Sequence, residues 1–150
     1  MKNNLIALKQ LDQQLSGLKG QTRPAEGWAR TLRKALGLTI KQFAKRLGVG
    51  PSRVVKIETS ELDGAITLHS LQTVAAALDC HLVYSFVPNS SLEATIKARA
   101  KSIALAQVKH SSHTMDLEAQ SVSQEWLDNQ INELTQELLQ RSWKYLWEKP

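Results

Sequence analysis

The chain has 150 residues, a formal net charge of +5 and one cysteine. That length suits one domain plus an extension, and a lone cysteine excludes an intrachain disulfide framework and points to the reducing cytoplasm. No apolar run approaches the ~20 residues that span a bilayer, and the N-terminus lacks a signal peptide's apolar core.

Residues 1–26 read as an N-terminal helix and a linker. Leu5, Leu8, Leu11, Leu15 and Leu18 form one apolar stripe, expected to pack on its own domain or on a partner chain. GQTRPAEG, residues 20–27, is a Gly- and Pro-containing loop. Residues 27–79 then read as four helices. Trp28, Leu32, Ala35 and Leu36 recur at helical spacing, and Gly37 is placed to close that helix. Thr39 opens the next helix as N-cap, with Gln42 completing a capping box. Small Ala44 lets another helix cross closely, and Gly48 sits where a left-handed turn is needed. Pro51 takes the first turn of the following helix. Val54 and Ile57, three apart, point back at Phe43 and Ala44. Thr67 caps a fourth helix with Leu68, Leu71, Val74, Ala75 and Leu78 inside. This is a helix-turn-helix pattern, whose second helix is shaped for a DNA major groove.

Charge agrees with that pattern. From Gly27 to Ser60 there are eight basic residues, opposed only by Glu58. From Lys101 onward acids outnumber bases. A positive field concentrated on one motif suits a phosphate partner. Ser52, Arg53, Val55 and Lys56 are the outward residues of the helix opened by Pro51. Arg53 suits guanine O6 and N7, Lys56 a guanine or phosphate, Ser52 a base edge or phosphate, and Val55 a thymine methyl group. Thr39 and Lys41, at a helix N-terminus, suit a phosphate, with Lys45 further along. Glu58 reads as an ion-pair partner for Arg33 or Arg46.

Residues 80–88, CHLVYSFVP, alternate β-forming side chains and read as a strand. A lone strand lacks a pairing partner in its own chain. Leu82, Val83, Tyr84 and Phe86 are therefore expected to pair with a second copy across a two-fold axis. Residues 89–150 read as a helical extension. Ser90 and Glu93 are expected to cap a helix whose inward residues are Leu92, Ile96, Ala100 and Ile103. After SSHTMDLEAQS, which reads as either a break or more helix, Leu127, Ile131, Leu134 and Leu138 repeat at four-three-four spacing. That suits a hairpin with the preceding helix or a coiled contact with a partner. Trp143, Tyr145 and Trp147 are expected to tuck into a core or an interface.

The chain has no Gly-rich phosphate loop, no HExxH and no nucleophile elbow, so no enzyme is expected. Cys80 and His81 would point to opposite faces of a strand. His110, His113, Asp116 and Glu118 lie close in sequence, yet solvated or structural histidines are the expectation; no metal and no cofactor are assigned.

The order from Trp28 to Leu78 (helix, Thr-capped helix, Gly turn, recognition helix, loop, helix) resembles the Xre/Cro-type, lambda-repressor-like domain. In that family a glutamine often follows the N-cap and braces the DNA backbone; Ile40 stands there in this chain. The longer stretches GWARTLRKALGLTIKQFAKRLGVGPSRVVKIE, GAITLHSLQTVAAALDCHLVYSFVP, SLEATIKARAK and HTMDLEAQ resemble the mobile mystery protein A family. That resemblance implies a gene beside one for a Fic-domain protein, in a toxin–antitoxin-like or accessory module of mobile DNA. The fold expected is mainly α: a lambda-repressor-like domain, an N-terminal helix, a short dimerising β-strand and a C-terminal helical extension. The function expected is a dimeric autorepressor binding a palindromic double-stranded operator. The alternative is an antitoxin or adaptor that mainly binds a protein such as the Fic partner.

Overall fold

The computed structural model describes residues 2–117 and 123–148, with side chains for 5–114 and 123–148. Its elements in chain order are α1 (Lys2–Ser16), α2 (Trp28–Ala35), α3 (Ile40–Leu47), α4 (Pro51–Asp63), α5 (Leu68–Ala77), α6 (Leu92–Leu117), α7 (Gln124–Gln140) and a 3₁₀ turn (Trp143–Leu146). They form two compact units. One is Gly20–Ser85; the other joins Met1–Lys19 to Phe86–Pro150.

In the unit Gly20–Ser85, α2 to α5 enclose Ala29, Phe43, Ala44, Val54, Val74 and Leu78, with Leu32, Leu38, Ile40, Leu47 and Ile57 packed around them. Phe43 and Val54 are wholly buried, and Ala44 is small enough for α4 to approach α3 closely. The chain leaves α3 through Gly48 at φ 68°. The amide of Val49 donates to the Ala44 carbonyl at 3.0 Å and that of Gly48 to Lys45 at 3.2 Å, the Schellman pairing that satisfies a helix C-terminus. The expected capping box also forms: Gln42 N donates to Thr39 Oγ1 at 3.2 Å, and Thr39 N donates to Gln42 Oε1 at 2.8 Å. Thr67 caps α5 by accepting from Ser70 N.

The buried stripe of α2 departs from expectation. Ala29, Leu32 and Arg33 turn inward, at i, i+3 and i+4, whereas Trp28 is 52% exposed and Leu36 is exposed. Trp28 stands about 100° off that stripe, and Leu36 lies past the last helical residue.

In the other unit, α6 packs on α7 around Ala100, Ala104, Val108, Ile131, Leu138 and Leu146, with Ile96, Ile103, Leu127, Leu134 and Trp143 beside them. The hairpin therefore forms within the chain. The N-terminal helix α1 packs on α6; Leu8, Leu15 and Leu18 are half-buried and Leu5 and Leu11 exposed. The cap of α6 is Ser91, not Ser90: Ser91 Oγ accepts from Ala94 N at 3.0 Å, while the Ser90 carbonyl accepts from Lys19 Nζ. Of the aromatic tail, Trp143 is half-buried and donates through Nε1 to the Leu139 carbonyl, whereas Tyr145 and Trp147 stay exposed. It is Leu146, between those two, that enters the core. Trp147 lies under the Arg99 guanidinium, 5.8 Å from ring centroid to carbon.

The strand over residues 80–88 does not form, and no strand exists among the described residues. Alternation alone makes no ladder; a strand needs a neighbour to exchange hydrogen bonds with, and none of the described residues supplies one. Asp79, at φ 58°, turns the chain out of α5. Val83, Tyr84 and Phe86 then lie 73%, 65% and 87% exposed, and Leu82 is half-buried. The SSHTMDLEAQS segment continues α6 as far as Leu117. Glu118, the Asp116 side chain and Ser121 fall outside the described residues.

Candidate nucleic-acid interface

Two helix starts build the site. Thr39 holds the first turn of α3 with its capping box, which leaves Lys41 exposed there. Ile40 is half-buried against the core, so the position that is often a glutamine here serves packing. Helix α4 begins at Gly50 with no side-chain cap and with Pro51 in its first turn. Its Val54 is buried and Ile57 packs on the same core. That anchoring rotates Ser52, Arg53, Val55 and Lys56 to solvent. All eight residues expected at a DNA surface, Thr39, Lys41, Lys45, Pro51, Ser52, Arg53, Val55 and Lys56, are exposed.

The eight basic residues between Gly27 and Ser60 sort into two groups. One group is engaged inside the unit. Arg33 is buried, with Nε 2.6 Å from Glu58 Oε1 and Nη2 3.3 Å from Oε2. Hydrogen bonding to that carboxylate, partly opposed by burial, raises the guanidinium above its ordinary value. Arg30 lies 3.6 Å from Glu58 Oε2. Lys34 pairs with Glu26 at 2.8 Å, and that hydrogen bond lowers the Glu26 carboxyl. Arg46 donates to the Ala77 carbonyl at 3.1 Å, so of the two partners expected for Glu58 it is Arg33 that takes it. The remaining four, Lys41, Lys45, Arg53 and Lys56, make no ion pair among the described residues. These are the four cations on α3 and the start of α4 that are available to a polyanion.

The buried pair also positions this surface. Arg33 Nη1 donates to the Leu38 carbonyl at 3.1 Å, immediately before the Thr39 cap. One guanidinium therefore ties α2 to α4 and to the entry of α3. A second tie went unseen in the sequence. Glu61, in α4 and buried, accepts from Trp28 N at 2.6 Å and Ala29 N at 2.9 Å, capping α2 from a remote helix. The signal for it was Gly27, a helix-opening residue without a capping side chain. Thr59, not singled out in the sequence, is exposed one turn beyond Val55.

Of the residues expected at a dimer contact, Val83, Tyr84 and Phe86 are exposed and Leu82 is half-buried. His110 and His113 are both exposed. Among the described residues no group of His, Cys, Asp and Glu stands close enough to hold a metal. Nor is any described helix long and apolar enough to cross a membrane.

Residues 30–85 match the helix-turn-helix family model. This segment, from α2 through α5 and beyond, is a helix-turn-helix domain of the Xre/lambda-repressor-like type, and it supports a DNA-binding regulator. Neither a curated protein nor a solved structure shows significant similarity to the chain.

Proposed function

We propose that the protein is a sequence-specific transcriptional repressor. Helix α4 enters the major groove through Pro51, Ser52, Arg53, Val55 and Lys56, and Thr39, Lys41 and Lys45 hold phosphates. The observation that carries this is the set of four cations without ion-pair partners, beside a helix start exposed on a helix-turn-helix frame. Two copies read a palindrome with half-sites about one helical turn, ~34 Å, apart. Support for the second copy is the exposure of Val83, Tyr84 and Phe86, large apolar groups that a monomer leaves in water. The resemblance to mobile mystery protein A supports an operator upstream of the protein's own gene on mobile DNA. It also supports a neighbouring Fic-domain protein as partner. A second reading, an antitoxin or adaptor that mainly binds protein, draws on the exposed Trp126, Tyr145 and Trp147.

The test is a titration against duplexes enriched from a random pool by the full-length protein. With ~6–10 phosphates neutralised by a dimer, affinity is expected to fall ~10³–10⁵-fold between 50 and 200 mM salt. Arg53→Ala should cost ~1–3 kcal/mol on the enriched duplex and relax one position per half-site, while Lys41→Ala weakens all sequences alike. Salt-independent binding, or no enrichment at all, sinks the reading.

A further inference from the structure

The outward face of α4 is divided lengthwise. Pro51, Val55 and Thr59 are all exposed and stand four residues apart, so they form one ridge along the helix. Ser52 and Lys56 form the next ridge, one residue on. The two ridges offer different chemistry. Pro51 has no amide proton and presents a hydrocarbon ring. Val55 is wholly apolar. Thr59 Oγ1 donates its proton to the Val55 carbonyl at 2.9 Å, so the side chain has no free donor and offers a methyl group. Three successive turns therefore present hydrocarbon and no side-chain hydrogen-bond donor, the Thr59 oxygen keeping only acceptor lone pairs. At ~1.5 Å rise per residue the ridge is about 12 Å long, or three to four base steps.

In the major groove one base-edge feature matches hydrocarbon: the thymine 5-methyl group. The other edge groups are donors and acceptors that an apolar ridge leaves unpaired. Resting on the reading of α4 as the recognition helix, we infer that Pro51, Val55 and Thr59 read thymine methyl groups. Each half-site then carries one or more thymines along this ridge, next to the base contacted by Arg53 or Lys56. Thr59 joins the specificity-determining residues through its methyl group, and Val55 stands at the centre of the ridge.

The test deletes only the methyl. Duplexes are first enriched from a random pool with the full-length protein, and each thymine of the consensus is then replaced in turn by uracil. Affinity is expected to fall about fourfold per methyl removed at the ridge, the worth of one buried methyl(ene). Val55→Ala and Thr59→Ser, both surface changes, should abolish that sensitivity at their own thymines and leave the remaining positions as they were. Sensitivity that persists unchanged in both variants overturns the assignment, because other residues then hold the methyls. Equal affinity for thymine and uracil at every position overturns it while leaving DNA binding intact. The uracil series on the unaltered protein needs no variant to fold. A chain that enriches no sequence removes the regulator reading, and this inference with it.

Discussion

The two units bury different chemistry. The helix-turn-helix unit encloses Arg33, Glu58 and Glu61 beside its apolar core. The buried residues described for the other unit are all apolar, and its Asp12, Glu93 and Lys97 remain at the rim. Apolar packing is non-directional, so it holds α6 against α7 without specifying polar geometry. Hydrogen-bonded charges are directional. In the helix-turn-helix unit they fix α2, α4 and the entry of α3 to one another, the elements that carry the proposed contacts Thr39, Lys41 and Arg53.

The largest test of that contrast is Glu58→Ala. It leaves the Arg33 guanidinium buried without its carboxylate, a loss of ~3–5 kcal/mol for one partner of a buried pair. Hydrogen exchange of the α2 and α4 amides should accelerate accordingly, and duplex affinity should fall although Glu58 does not face outward. Replacing both partners, Arg33→Met with Glu58→Leu, should recover most of the protection, since a packed apolar pair needs no counter-charge. If the double variant is as protected as the original but binds DNA poorly, the pair serves alignment more than stability. If Glu58→Ala changes neither, the contrast between the units is only descriptive.

Glu61→Ala comes next, at about 2–3 kcal/mol, because it removes charge-assisted hydrogen bonds from two amides with no other partner. Gly27 offers no replacement: its φ is 82°, and a Cβ there would stand 3.0 Å from the Glu61 carboxylate. The amides of Trp28 and Ala29 should lose protection first. Exchange at those two unchanged in the variant would mean that water caps α2 equally well.

These ties mark the limit of what was legible in the sequence. The Thr39–Gln42 box, the Gly48 exit and the inward Val54 were readable because each depends on residues within about one turn of one another. Arg33 was half readable: a lone acid among eight bases needs a partner, but two arginines qualified, and only the fold brings Arg33 within 2.6 Å. The remote carboxylate partners of α2 and α6 were unreadable, although Gly27 signals that α2 has no local cap. Glu61 and Asp12 are 33 and 80 residues from the first amides they serve, and no local pattern encodes such a pairing. The strand is a different case. Its alternation is local and legible, but a ladder is a property of two segments, and no second extended segment pairs with it among the described residues. On the interface, the outward residues followed once Val54 was placed inside. Thr59 was not legible as part of the proposed ridge because its hydroxyl reads as polar; only the fold shows its proton committed to the Val55 carbonyl.

The smallest effect is expected at the matching cap in the other unit. Asp12 accepts from Leu92 N at 2.7 Å and Glu93 N at 3.0 Å, the same two-amide geometry as Glu61. Three features reduce its worth. Asp12 is only half-buried, so water can replace it at the freed amides. Ser91 caps Ala94 independently. Glu93 already supplies an acid in the first turn of α6, where the helix dipole favours it. Its carboxyl is held below the usual range chiefly by a hydrogen bond from Lys97, and the negative charge of Asp12 works against that. Removing Asp12 therefore loses two hydrogen bonds but relieves one repulsion. Asp12→Ala is expected to cost ~0.5–1 kcal/mol, near the low end for a helix cap, with exchange accelerated at Leu92 and Glu93 and unchanged at Trp28 and Ala29. A loss as large as that of Glu61→Ala would show that burial is not what separates the two caps. It would move the distinction between the units from buried charge to the capping bond itself.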